Sequence, residues 1–143
     1  MPTDNQAIIE FARQLHGHVG PYLVIGLKMG TAAKKALNIN DTESTHLRAE
    51  VAVPLYPPFS CLLDGIQVST TCTIGNQRLQ FKNSKTIQGT FVIEESGKIV
   101  KITVNKKFIE ILEEKKREDK LNEAYAWELA EVHEDQLFKI TAK

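Results

Sequence analysis

Residues 60–73, SCLLDGIQVSTTCT, decide how this chain is read, because the run satisfies two incompatible descriptions. Ser60 is a good N-cap before an apolar stretch, which favours a helix, whereas Val68 to Thr73 is rich in residues that prefer a strand. Periodicity alone leaves both open. The flanks are clearer. Residues 47–55 alternate weakly, are rich in β-formers and are halted by Pro57-Pro58, which marks a strand. Further strands are expected at about 78–83, 87–94 and 98–104, with Ser96-Gly97 as a tight hairpin turn.

Outward from this centre the pattern turns helical. Asp4 can cap a first helix with Ile8, Phe11, Ala12 and Leu15 on its apolar face, ending at His16-Gly17. A second helix begins at Pro21, a residue suited to the first helical position, and runs to about Leu37. Within it Gly26 and Gly30 form a GxxxG where glycine costs roughly 1 kcal/mol against alanine, which implies close approach by a sheet of this chain or by a partner chain. Asn105 caps a charged helix carrying Phe108, Ile109 and Leu112, and a last helix over about 121–132 is followed by DQLFKIT as a short closing strand. The apolar stripe of this region exceeds what one surface helix needs and points to a partner chain. No repeat or linker divides the chain, so residues 1–143 read as one domain in which 105–143 are a helical C-terminal extension used in dimerisation.

At 143 residues the chain can bury a core without disulfide or metal staples, so a metal here would be functional rather than structural. Lysine plus arginine and aspartate plus glutamate each number 18, which leaves no net field to gather nucleic acid or an anionic membrane. With no signal segment and no long apolar run, the expectation is a cytoplasmic protein with no membrane association. In a reducing compartment Cys61 and Cys72 are then buried, catalytic or metal-bound thiols rather than a disulfide.

His16 and His18 lie one residue apart. They would diverge on a helix but share a side in extended chain, and Gly17 together with Gly20-Pro21 favours the latter. The pair could hold a transition metal or an anion at the positive end of the second helix, or be two solvent-exposed corner histidines. Cys61 is the natural third ligand, because the first turn of a helix favours thiolate, and Asp64 could order a histidine. Cys72 is eleven residues further on, about 16 Å along a continuous helix at 1.5 Å per residue. Either it is a buried small hydrophobe, or the site combines two subunits or a broken helix. Gly75-Asn76 reads as a turn, and His46 and His133 as surface residues. No P-loop, dinucleotide fingerprint, nucleophile elbow or paired C-x-x-C occurs.

Taken together, HGHVGPYLVIGLKMG (16–30) and CLLDGIQVSTTCTIGNQRL (61–79) resemble the E-subunit family of formylmethanofuran dehydrogenase, with its H-G-H-x-C-P, G-x-x-x-G, C-x-x-D-x-I-Q and G-C-T-x-G segments. GTFVIEESGKIVKITV (89–104) is similar to the strand pair that follows in that family. The resemblance implies an α+β domain with an α-β-α-β-β-β core and a mixed sheet backed by helices, makes 60–72 helical, and implies intertwined homodimers with a pocket near the dimer interface. Carried over by position, His16, His18, Cys61, Asp64, Gln67, Cys72 and Thr73 match pocket positions. The function implied is that of a zinc or similar divalent-metal accessory protein associated with a molybdenum or tungsten enzyme of one-carbon metabolism, His16, His18, Cys61 and Cys72 being the candidate ligands. A metal-free anion-binding module and a structural subunit with a vestigial pocket are the alternatives. Two departures stand out: Gly20 replaces the cysteine of H-G-H-x-C-P, and Thr71, bulky enough to narrow the pocket, replaces the glycine before Cys72. Two cysteines leave none for the zinc ribbon that some members add.

Overall fold

A computed structural model of the chain describes residues 4–40 and 46–143, the side chain of Asp4 excepted. The order of elements is α1 (Asp4–His16), α2 (Pro21–Leu37), β1 (Leu47–Val53), α3 (Cys61–Thr70), β2 (Leu79–Asn83), β3 (Gln88–Ile93), β4 (Ile99–Val104), α4 (Lys106–Arg117), α5 (Glu123–Ala130), α6 (Glu134–Leu137) and β5 (Phe138–Ala142). The ambiguous run is therefore a helix, ended at Thr71, whose φ of 58° breaks the helical path. The strand-preferring residues at its C-terminal end are buried by tertiary packing, which overrides their local preference.

The strands form one sheet in the order β2-β1-β3-β4-β5. β1 and β2 are parallel, with Ala49 opposite Leu79, and α3 is the crossover between them; every other pairing is antiparallel. The fold is thus α+β with a mixed sheet, as expected. Alternation along β3 and β4 buries Phe91, Val100 and Ile102 under the helices and turns Lys101 outward. No helix of the described residues is long and apolar enough to cross a membrane.

Helix α2 is the centre of the packing. Its GxxxG meets helix α3 of the same chain, in place of the sheet or partner chain that the sequence suggests. A Cβ on Gly26 would stand 2.1 Å from the Leu62 carbonyl oxygen, and one on Gly65 would stand 2.2 Å from the Leu23 carbonyl oxygen. One turn further on, Gly30 faces Ser69, so glycine and serine four residues apart on α3 match two glycines four residues apart on α2.

Two further expectations change. The buried face of α1 is Ile9 and Ala12, while Phe11 and Leu15 are exposed at 66% and 56%. Cap formation by Asp4 falls outside the described residues. Asn105 stands at the N-cap of α4, yet its side chain donates to the carbonyls of Asp135 and Gln136 and ties α4 to α6 instead. The closing strand read in DQLFKIT is β5, paired with β4, and of the apolar residues at helical spacing in the last helix Leu129 is buried, Leu121, Tyr125 and Val132 are half-buried against the core and Ala124 is exposed.

Candidate functional site

The α1–α2 corner builds the site. Helix α1 stops at His16 because Gly17 takes a φ of +96°, a conformation that favours glycine, while its N–H still closes on the Arg13 carbonyl. Gly20 is extended at φ −130°, and Pro21 then starts α2, so no side chain caps the N–H groups of that helix. Across this corner the two imidazoles come together as the sequence implies, with ring centroids 4.6 Å apart.

Asp64, on the first turn of α3, fixes one of the rings. Its Oδ2 lies 2.6 Å from His16 Nδ1, and its Oδ1 accepts from Gln67 Nε2 at 3.1 Å. Because a carboxylate only accepts, the proton of the neutral ring sits on Nδ1 and the lone pair on Nε2. That Nε2 is buried and has no hydrogen-bond partner among the described residues. A buried acceptor costs free energy while nothing meets it, and is a ready donor atom for a ligand or ion.

His16, His18 and Cys61 line one cleft of about 480 Å³, closed on its other side by Tyr22, Pro58 and the segment from Lys116 to Glu123. Glu123 is occupied: Arg13 holds it in a two-pronged ion pair at 2.8 and 3.2 Å and Trp127 Nε1 donates to it at 3.0 Å, which together press its carboxyl down to about 2. The expectation that Cys61 favours the thiolate is overturned. Burial, with the Asp64 charge second, pushes the Cys61 thiol above its ordinary value and outweighs the backbone contact at the start of the helix.

The remaining candidates lie elsewhere. Cys72 is buried with its Sγ 3.3 Å from the Leu47 carbonyl, beneath β1 and outside the lining of the cleft. Helix α3 ends before it, so the broken-helix geometry exists but carries the thiol into the core. Thr73 exchanges hydrogen bonds with Asn76 in the turn that leads to β2, confirming the turn read at Gly75-Asn76. Thr71 forms the left-handed end of α3 and likewise does not line the cleft. His46 and His133 are exposed. Among the described residues no group of three His, Cys, Asp or Glu side chains is clustered closely enough to hold a metal ion. Sequence reasoning missed the wall from Lys116 to Glu123, which only the fold of α4 and α5 carries to the histidines.

Comparison with known proteins places the chain in a family. A tungsten formylmethanofuran dehydrogenase E-subunit (FmdE)-like protein from Syntrophus aciditrophicus superposes with a TM-score of 0.70 over 97% of this chain and 71% of that one, at 19% identity, a likeness of fold. A probable S-adenosyl-L-methionine-binding protein of Archaeoglobus fulgidus is 29% identical over 94 residues, 66% of this chain. The chain spans only 25% of that relative's length. The family model described as FmdE, molybdenum formylmethanofuran dehydrogenase operon, matches residues 15–141, and the chain belongs to this FmdE family.

Proposed function

We propose that this chain is a divalent-metal-binding accessory protein, acting as a homodimer beside a molybdenum or tungsten enzyme of the formylmethanofuran dehydrogenase kind. One observation carries the metal reading: His16 presents a buried, unpartnered Nε2 while Asp64 holds its Nδ1 at 2.6 Å. This carboxylate–histidine arrangement is the one that orients imidazole ligands toward zinc and raises their basicity. His18, its ring tilted by 40° against that of His16, would be the second nitrogen donor, and Cys61 in the lining of the same cleft the available thiol. Two nitrogens and a sulfur suit zinc in donor softness, and they fall short of a closed four-ligand structural site. When bound, such an ion would supply Lewis acidity to the cleft. Asp64 orients His16, and Tyr22 and Pro58 give the cleft an apolar wall.

The deciding experiment is elemental analysis by plasma mass spectrometry on untagged protein, beside His18→Ala and Cys61→Ala. A ratio near one metal per chain that collapses in both variants is expected. A ratio near zero in all three would overturn the metal reading and leave the uncapped end of α2 as a receptor for an anionic ligand.

A further inference from the structure

Gln67 makes two side-chain contacts, and they point in different directions. Its Nε2 donates to Asp64 Oδ1 at 3.1 Å, and its Oε1 accepts from the backbone N–H of Ile74 at 3.2 Å. The second contact fixes the amide, because turning it over would set an NH₂ against an N–H. The first then decides which carboxylate oxygen is free. With Oδ1 taken, Oδ2 faces His16 Nδ1, and the imidazole is held with Nε2 buried toward the cleft.

We propose that Gln67 is a positioning residue of this site: it transmits the rigidity of the turn after α3 through Asp64 to His16 and so sets the direction of the Nε2 lone pair. The inference rests on the reading of His16 as a ligand, but its geometric part stands without metal. Asp64 remains about one-third exposed, so water could replace the amide as a donor and keep the carboxylate solvated. Water could not choose between the two oxygens. An amide fastened at its other end can.

Two substitutions separate this role from that of a structural peg. Gln67→Met removes both contacts. Gln67→Glu keeps an acceptor for the Ile74 N–H, and therefore the turn, but opposes a carboxylate to Asp64. If Gln67 only anchors the turn, Gln67→Glu behaves as the parent does. If it positions Asp64, both variants fail together.

Two readouts at one fixed pH test this. Two-bond proton–nitrogen correlation spectra of the metal-free protein report the His16 tautomer, and competition with a chromophoric chelator reports zinc affinity. The parent is expected to show one Nδ1–H tautomer with a slowly exchanging proton. Both variants are expected to show mixed tautomers with fast exchange, and zinc affinity about tenfold weaker, the lower end for loss of a ligand's supporting partner. A single protected tautomer retained in Gln67→Glu would overturn the proposal, even if both variants melt earlier. A parent that binds no zinc, with the tautomer change still seen in both variants, would overturn the metal reading and leave the positioning role standing.

Discussion

Replacing Gly26 by alanine tests the contact that brings α3 to α2. The added Cβ would lie 2.1 Å from the Leu62 carbonyl oxygen and 3.1 Å from the Gly65 Cα. Both are backbone atoms within a helix and cannot rotate away, so the two helices must part by more than an ångström. Two effects oppose each other. Alanine is the better helix former by about 1 kcal/mol, whereas overpacking a rigid site costs about 1–3 kcal/mol and separation forfeits dispersion along the whole crossing. With backbone on both sides the second effect wins, and a net loss of about 2 kcal/mol is expected, a fall in Tm of about 4–8 °C by calorimetry. Gly65→Ala, whose Cβ would meet the Leu23 carbonyl oxygen at 2.2 Å and the Leu27 nitrogen at 2.6 Å, should cost as much. The double variant should cost less than the two combined, by at least about 0.5 kcal/mol, because one separation accommodates both methyls. Gly20→Ala is the control, with nothing nearer than 3.9 Å. A Gly26→Ala protein that melts above the parent would refute the reasoning, since helix propensity alone would then govern the site.

Asp64→Ala should strand His16 Nδ1 and weaken metal binding about 10–100-fold, read by chelator competition, with a stability loss of about 1–3 kcal/mol in urea. Glu123, held down to about 2 by Arg13 and Trp127 from an ordinary value of 4.5, stabilises the fold above its unfolded value and loses that contribution as pH falls from 4.5 toward 2. Urea midpoints of the parent and Glu123→Gln should therefore converge across that window, and a constant gap would count against the ion pair. Cys72→Ala should lower stability on the order of 1 kcal/mol by leaving a small cavity, and should leave the metal-to-protein ratio unchanged, in contrast to Cys61→Ala. Gly20→Cys should fold as the parent does, because its φ of −130° suits any residue and its Cβ would clear His18 by 3.9 Å. In a Cys61→Ala background it should create a thiolate-to-cobalt absorption band that the background lacks.

What the sequence revealed is what local chemistry determines. Pro21 and the Gly17 break set the corner, and with it the meeting of His16 and His18, from residues adjacent in the chain. The strand–turn–strand run from Gln88 to Val104 shows its alternation because one face is covered and the other is not. Long-range packing stayed hidden. Phe11 and Leu15 have helical spacing that would serve either edge of α1, and only the approach of its neighbours makes Ile9 and Ala12 the buried pair. The first turn of α3 promised a reactive Cys61, but burial and Asp64 act on the thiol more strongly than the helix end. Asn105 has the composition of a cap, and α6 takes its side chain away.

The glycine crossing and the histidine site are one feature seen from two sides. Gly65 lets the α3 backbone rest against Leu23 and Leu27 of α2, and Asp64 is the next residue along the chain. Bringing the α3 backbone this close carries the Asp64 carboxylate to the end of α1, where it meets His16 at 2.6 Å. Larger side chains at this crossing would hold α3 farther from α2 and draw the carboxylate away from the corner where α1 ends. A variant that separates the helices should therefore loosen His16 without touching it. In Gly65→Ala the His16 Nδ1 proton should exchange faster even at temperatures where the fold is intact, and an unchanged proton in a protein destabilised as expected would show that the site is held by α1 and the α1–α2 corner alone.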